Sequence, residues 1–141
     1  MKIPSNVRKK DGFWKLLPIL YSKKTNTPIF SKIYLNEETW NGVHSKPQDL
    51  YSLGILIHEL EHLKRQKQIG VVKWWLLYVL SPSFRFNEEW IAQRPQMKYL
   101  KKKRYKFDFD KRAKQLSGAA YGWAISQNNA KKKLQEIWEK C

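Results

Sequence analysis

The sequence predicts an α+β domain that is mainly α, with a small β element beside one long central helix. Helical patterns recur from Ser45 to Lys140, whereas strand-forming residues cluster only between Ile29 and Leu35. With 141 residues, of which 42% are hydrophobic, the chain is long enough to bury one core. We therefore expect a basic N-terminal arm, residues 1–24, and a single domain, residues 25–141.

Basic residues far outnumber acidic ones. The chain has 28 Lys and Arg against 12 Asp and Glu, a net charge of +16. Such a field attracts anionic partners, whether nucleic acid, acidic protein, lipid headgroups or cell-wall polymer, without choosing between them. The single cysteine, Cys141, excludes an internal disulfide and a cysteine-rich zinc site.

The N-terminal arm contains a short apolar run, residues 13–20, which is interrupted by Lys15 and Pro18. Because the run lacks a small-residue cleavage site, it does not predict a signal peptide, and we expect a cytoplasmic location. The strand formers at residues 29–35 predict one or two strands, and residues 36–45 are expected to form a loop.

The central helix is predicted to begin at Ser45 and to end near Gln68. Ser45 and Gln48 have the spacing of a capping box, and Pro47 is tolerated early in a first turn. Gly70 is a suitable terminator.

One side of this helix is apolar. Projection at about 100° per residue places six aliphatic side chains in one arc, namely Leu50, Leu53, Leu56, Ile57, Leu60 and Leu63. His58, Glu59 and His62 fall outside the arc. The helix therefore packs by its apolar side and presents these three residues on the other, unless that polar side is merely solvated.

Residues 58–62 read His-Glu-Leu-Glu-His, the pattern H-E-x-x-H. Two histidines one turn apart stand on the same face, roughly 5–6 Å apart at Cβ, and can bind one zinc ion. Glu59 lies about 100° to the side of His58, from where it can act as a general base without being a ligand.

A zinc site of this type needs a third protein ligand. The metzincin pattern would place a histidine six residues after His62, but that residue is Gln68, so this class is excluded. Further along the chain, Glu89 and Ala92 form the pattern E-x-x-A. The small side chain of Ala92 would let the two helices approach until the carboxylate reaches the ion.

With H-E-x-x-H followed by E-x-x-A, the sequence resembles the gluzincin group of zinc metallopeptidases, specifically the small intracellular and phage or toxin-associated forms. The resemblance covers about residues 28–125, and only the two motifs are specific. It implies a zincin-like fold in which His58, His62 and Glu89 bind Zn²⁺ and Glu59 activates water.

Two features depart from that pattern. Glu88 competes with Glu89 as the third ligand, and Pro95 is expected to kink the ligand helix. Both glutamates would also suit the first turn of a helix without any metal, because acidic residues there favour the helix dipole.

Residues 71–80 are almost wholly apolar, but ten residues are too few for a transmembrane helix, which needs about 20. They predict a buried helix or hairpin, with contact at a membrane surface as the alternative.

Residues 101–104 are all basic, which suits a solvated helix end or nucleic acid. Later helices are expected at 111–116, capped by Asp110, and at 127–140.

Taken as a whole, the sequence predicts zinc-dependent hydrolysis of peptide bonds in a peptide or protein substrate, with an anionic substrate suited to the charge. Tyr121, Tyr105 and His44 are candidates to stabilise an oxyanion. The strand at 29–35 is expected to hold an extended peptide by edge pairing. Two alternatives remain open: a basic nucleic-acid-binding module, and a catalytically inactive zincin fold that acts through protein contacts.

Overall fold

The computed structural model describes residues 1–12, 25–118, 121 and 123–141. These residues form an α+β fold that is mainly α, as the sequence predicts. In chain order, the strands and helices are β1 (Val7–Lys9), β2 (Thr27–Ile29), β3 (Lys32–Leu35), α1 (Glu37–His44), α2 (Leu50–Ile69), α3 (Val71–Leu80), α4 (Pro82–Lys102), α5 (Phe109–Leu116) and α6 (Gln127–Lys140). The apolar run at 13–20 lies outside the described residues. No described helix has the length and hydropathy needed to cross a membrane.

The small sheet lies beside α2, with β3 in its centre. β3 pairs in parallel with β1 and antiparallel with β2. Strand β1 falls within the predicted arm, where the sequence predicted no strand. The expected edge pairing is wrong for Lys32–Leu35, because β3 is paired with a strand on each side. At the edge strand β2, Pro28 has no N–H and its carbonyl accepts a hydrogen bond from Gln66 Nε2 at 2.9 Å.

Two hydrophobic clusters form the core. One lies between the sheet, α1 and α2 and consists of Val7, Ile33, Leu35, Val43, Leu53, Leu56 and Leu63. The other joins α4, α5 and α6 and includes Trp90, Met97, Leu100, Leu116, Ala130 and Leu134. The apolar arc of α2 thus contributes its buried leucines to the first cluster, as predicted, and the opposite side of α2 is left for α4.

Helix α1 occupies residues that were expected to form a loop. It begins because the side chain of Asn36 accepts a hydrogen bond from the backbone N–H of Thr39 at 2.8 Å, while Glu37 and Glu38 favour the helix dipole in the first turn. Helix α2 consequently begins later than predicted. Its cap is Asp49, which accepts from Ser52 N at 2.7 Å, rather than Ser45.

Helix α4 begins at Pro82, with Ser81 as its cap. Glu88 and Glu89 therefore lie about two turns inside the helix, where they do not compensate the dipole of a first turn. The helix continues through Pro95 to Lys102, so the proline does not end it. Helix α5 is capped by Asp108 rather than Asp110, and α6 has the predicted bounds.

Candidate metal centre

Helices α2 and α4 pack closely along the polar side of α2. A Cβ atom added at Gly54, one turn before His58, would lie only 3.1 Å from the side chain of Leu100. Ala92, the small residue singled out in the sequence, is fully buried. This close approach buries both histidines, which are 5% and 3% exposed, so the polar side of α2 is not a solvated face.

His58, His62 and Glu89 meet at this interface. The Nε2 atoms of the two histidines are 3.1 Å apart. His58 Nε2 lies 3.3 Å from Glu89 Oε2, and His62 Nε2 lies 3.3 Å from Glu89 Oε1. The sequence prediction that these three residues come together is therefore realised in the fold.

The two separations of 3.3 Å between a histidine and Glu89 suit a shared metal ion, whereas the 3.1 Å between the two histidines is slightly shorter than an ion would set. Ligand atoms at tetrahedral angles on one ion, with bonds of about 2.0–2.2 Å, lie about 3.3–3.5 Å apart. The three residues form a buried cluster of His and Glu able to hold an ion. The same distances are hydrogen-bond lengths, so the three groups can also share protons when no ion is bound.

Nothing matches this chain in comparisons with protein-family models, with curated proteins and with solved structures.

Glu88 does not take part in this cluster. Its carboxylate accepts hydrogen bonds from Arg65, at 2.8 Å from Nη2, and from Trp74 Nε1 at 3.0 Å. A guanidinium and an indole occupy its oxygens, and Glu88 forms no hydrogen bond with either histidine. Of the two glutamates that the sequence left open, Glu89 is the one that reaches them.

A second layer of polar side chains holds the cluster in place. Gln96 Oε1 lies 3.1 Å from His58 Nδ1 and accepts a hydrogen bond from Gln93 Nε2 at 3.0 Å. Arg112 Nε donates to Gln93 Oε1 at 2.9 Å, and its Nη2 donates to Glu89 Oε2 at 3.2 Å. Hydrogen bonds of this kind orient ligand side chains and set the tautomer of a histidine.

His62 is held in a different way. Its Nδ1 atom has no hydrogen-bond partner among the residues that the structure describes. Instead, the ring packs edge-on against Trp74 and Tyr78, with centroids 5.6 and 6.2 Å away. The hydroxyl of Tyr78 donates to Glu89 Oε1 at 2.8 Å, so α3 contacts both His62 and the carboxylate.

Burial and the neighbouring charges separate the protonation states of the cluster. Burial lowers the pKa of His58 to about 4, although Glu89 acts in the opposite direction. Burial also disfavours protonation of His62, but its hydrogen bond to Glu89 and the charges of Glu89 and Glu59 raise its pKa above the ordinary value. For Glu89, burial is outweighed by both histidines, which hold its pKa well below the usual range. Near neutral pH, the carboxylate of Glu89 is therefore charged, and the imidazole of His58 is neutral and has a lone pair available for a metal ion.

Glu59 lies beside the cluster without belonging to it. It is 8% exposed, and burial raises its pKa to about 7, partly offset by the charge of His62. It lines a cleft of about 1000 Å³ that also contains His58, His62 and Glu89. A carboxyl group that titrates near pH 7 can act as a proton acceptor at neutral pH.

Two of the three predicted oxyanion candidates also line the cleft. These are Tyr121 and Tyr105, whereas His44 lies outside it, its ring 4.1 Å from Trp40 at the end of α1. Burial, together with the charge of Glu89, raises the pKa of Tyr121. The sequence did not single out Tyr78 or Arg112, because only the packing of α3 and α5 brings them to Glu89.

One lysine of the basic run at residues 101–104, Lys101, has a structural role. Lys101 Nζ donates to the carbonyl oxygen of Trp138 at 2.7 Å and to that of Glu139 at 3.3 Å. It thereby binds carbonyl groups at the C-terminal end of α6, where cations suit the dipole.

Proposed function

We propose that this protein is a zinc-dependent peptidase in which His58, His62 and Glu89 bind the ion and Glu59 is the general base. The observation that carries the proposal is the set of separations of 3.1, 3.3 and 3.3 Å among the three buried ligand groups. Two imidazole nitrogens and a carboxylate are a donor set that zinc accepts in catalytic sites, with room for a fourth ligand. When bound, zinc would supply a Lewis acid that polarises a carbonyl and lowers the pKa of water.

Glu59 would perform the proton transfers. Its carboxylate takes a proton from the attacking water, whose oxygen bonds to the carbonyl carbon of the substrate. The C–N bond then breaks, and Glu59 delivers the proton to the leaving amine. Its burial, which brings its pKa to about 7, suits both the acceptance and the release of that proton.

The cleft supplies the space for a peptide segment. Its lining runs from Thr25 and Asn26, next to β2, past the histidines to Tyr105 and Arg112. Arg112 and Tyr78 would keep the carboxylate of Glu89 in position, because each donates a hydrogen bond to a different oxygen of it. Tyr121, which lines the same cleft, is a candidate donor to the developing oxyanion.

The test compares wild-type protein with Glu59→Gln, both loaded with zinc, on dye-labelled casein and on a quenched fluorescent peptide library. Wild type is expected to hydrolyse the substrates, with metal analysis giving one zinc per chain. Glu59→Gln should keep its zinc and lose about 10²- to 10⁴-fold in kcat, the usual contribution of a general base. His58→Ala should lose both zinc and activity.

Two outcomes would contradict the proposal. A zinc-loaded wild type that cleaves no peptide in the library would instead support an inactive fold that acts through protein contacts. A wild type that takes up no zinc would remove the metal site itself, leaving the buried histidines and Glu89 as a proton-sharing cluster.

A further inference from the structure

The outward side of α3 is an apolar surface. Four of the seven large hydrophobic residues that are exposed in the described part of the chain belong to this helix: Val72, Leu76, Val79 and Leu80, which we call the α3 stripe. At about 100° per residue, they fall within an arc of about 100°, with Lys73 at its edge. The prediction that residues 71–80 are buried is therefore wrong for this side of the helix, where the four residues are 47–75% exposed.

The opposite side of α3 fixes the helix in this orientation. Trp74 is 1% exposed, and its indole N–H donates to Glu88. Tyr78 donates to Glu89 and stacks on Trp74 at a centroid distance of 4.5 Å. Because rotation of α3 would break both hydrogen bonds to buried carboxylates, the α3 stripe cannot turn into the core.

The chain around the α3 stripe is basic. No acidic residue occurs between Glu61 and Glu88, a segment that contains Lys64, Arg65, Lys67, Lys73 and Arg85. Arg65 is paired with Glu88, and Lys64 with Glu61. Lys67 and Lys73 are exposed, and Lys73 borders the stripe directly. One edge of the apolar surface thus carries the positive charge of Lys73, in a protein whose net charge is +16.

We propose that the α3 stripe binds the surface of a membrane that contains anionic lipid. Aliphatic side chains enter the boundary between headgroups and acyl chains, while a lysine beside them extends its charge to the headgroups. The charge of the protein complements such a surface and disfavours a second copy of the chain, since two copies at +16 repel each other. The α3 stripe has no side chain that could form a hydrogen bond with an acidic protein, and such side chains lie only around it.

The first arm of the test removes the apolar contact. Wild type and the variant Leu76→Ser/Leu80→Ser are sedimented with vesicles of mixed phosphatidylglycerol and phosphatidylcholine, with Leu76→Met/Leu80→Met as the matched control. Wild type is expected to bind, and the serine variant at least about tenfold more weakly, because two aliphatic side chains no longer leave water. The methionine variant should bind within about twofold of wild type. Both sites are exposed, and equal thermal unfolding of the three proteins verifies the fold.

The second arm separates local charge from net charge. Lys73→Glu and Lys102→Glu change the net charge equally, but only Lys73 borders the stripe. Each charge near an anionic surface contributes about a fivefold change, so Lys73→Glu should weaken vesicle binding on the order of 25-fold and Lys102→Glu much less. Vesicles of phosphatidylcholine alone should bind wild type weakly.

Five results would overturn the proposal. The serine variant binding like wild type, or both lysine variants losing affinity equally, would mean adsorption by net charge alone. Binding to phosphatidylcholine as tight as to mixed vesicles would exclude the role of lipid charge. A dimer in sedimentation velocity that the serine substitutions dissociate would assign the stripe to a second copy. Retention on immobilised polyglutamate that depends on the two leucines would assign it to an acidic protein.

Discussion

Glu88 and Glu89 are consecutive, equally buried and differently surrounded. Glu88 is neutralised by a permanent cation, Arg65, and by the indole N–H of Trp74. Glu89 faces two imidazoles at 3.3 Å. It also accepts hydrogen bonds from Tyr78 at 2.8 Å and from Arg112 at 3.2 Å. Both oxygens of Glu88 accept hydrogen bonds from Arg65 or Trp74 and none from a histidine, so Glu88 is part of the framework. A carboxylate opposite two imidazoles is able to accept a metal ion, because an ion can replace the protons that the imidazoles share with it.

The largest expected difference between the two glutamates is in metal affinity. Glu89→Ala should weaken zinc binding at least about 10³-fold by removing one of three protein ligands, whereas Glu88→Ala should leave one zinc per chain. Competition with a chromogenic chelator measures both affinities. If Glu88→Ala loses the ion while Glu89→Ala keeps it, the ligand is assigned to the wrong residue.

The next difference is in stability without metal. Glu88→Gln should lower the free energy of unfolding by about 3 kcal/mol, because it leaves Arg65 without its buried partner. This is the lower end of the usual range, since the side chain of Arg65 is 26% exposed and can reach water. Urea denaturation in the presence of a chelator gives the value. Glu61→Gln, which removes a more exposed ion pair with Lys64, is the matched control and should cost less than about 1 kcal/mol. Equal losses of stability in Glu88→Gln and Glu61→Gln would mean that the buried ion pair of Glu88 stabilises the fold no more than the more exposed pair of Glu61.

Glu59 extends the comparison to a carboxyl group that has no hydrogen-bonded cation among the described residues. Its pKa is raised from 4.5 to about 7, so the folded state binds more protons than the unfolded state between these values. The contribution of Glu59 to stability is therefore lost as the pH rises through that window. Metal-free Glu59→Gln should be more stable than wild type by about 2 kcal/mol at pH 8 and equal to it near pH 4.5. Thermal unfolding of both proteins at the two pH values is the measurement. If Glu59 were instead a stabilising anion, Glu59→Gln would be less stable than wild type at pH 8.

The smallest expected effect concerns the orientation of His58. Gln96→Leu removes the acceptor 3.1 Å from His58 Nδ1 while keeping the volume of the side chain. Loss of such a partner weakens metal binding about 10- to 100-fold. A Gln68→Leu variant, in which an exposed glutamine of the same histidine helix is replaced, should bind zinc like wild type. Chelator competition that finds the two variants alike would mean that packing alone holds His58.

Local patterns in the sequence account for much of the site. Two histidines four residues apart on a helix must share a face, whatever the rest of the fold does. The choice of Glu89 over Glu88 required tertiary structure, because it depends on Arg65 and Trp74 occupying the other carboxylate. Tyr78 and Arg112 were missed for the same reason. Gln93 and Gln96 carried a weak signal, since they lie four and seven residues after Glu89 and therefore on the same side of α4.

The errors in the fold have similarly specific causes. A loop is predicted from the sequence where α1 lies, although Asn36, Glu37 and Glu38 form a recognisable helix start. Strand β1 has three residues, and its pairing with β3 is set by contacts across the chain rather than by its own sequence. For α3, an apolar pattern on all sides cannot indicate which side faces solvent.

Val79 connects two regions of the molecule, because it lines the cleft and also belongs to the α3 stripe. The cleft therefore opens beside the surface that we assign to lipid. On a bilayer, an enzyme placed in this way would meet its substrates by diffusion in a plane, where confinement raises their effective concentration without any new contact. Substrates anchored to the same leaflet would then be cleaved faster than identical peptides in solution, even if the cleft bound both equally well.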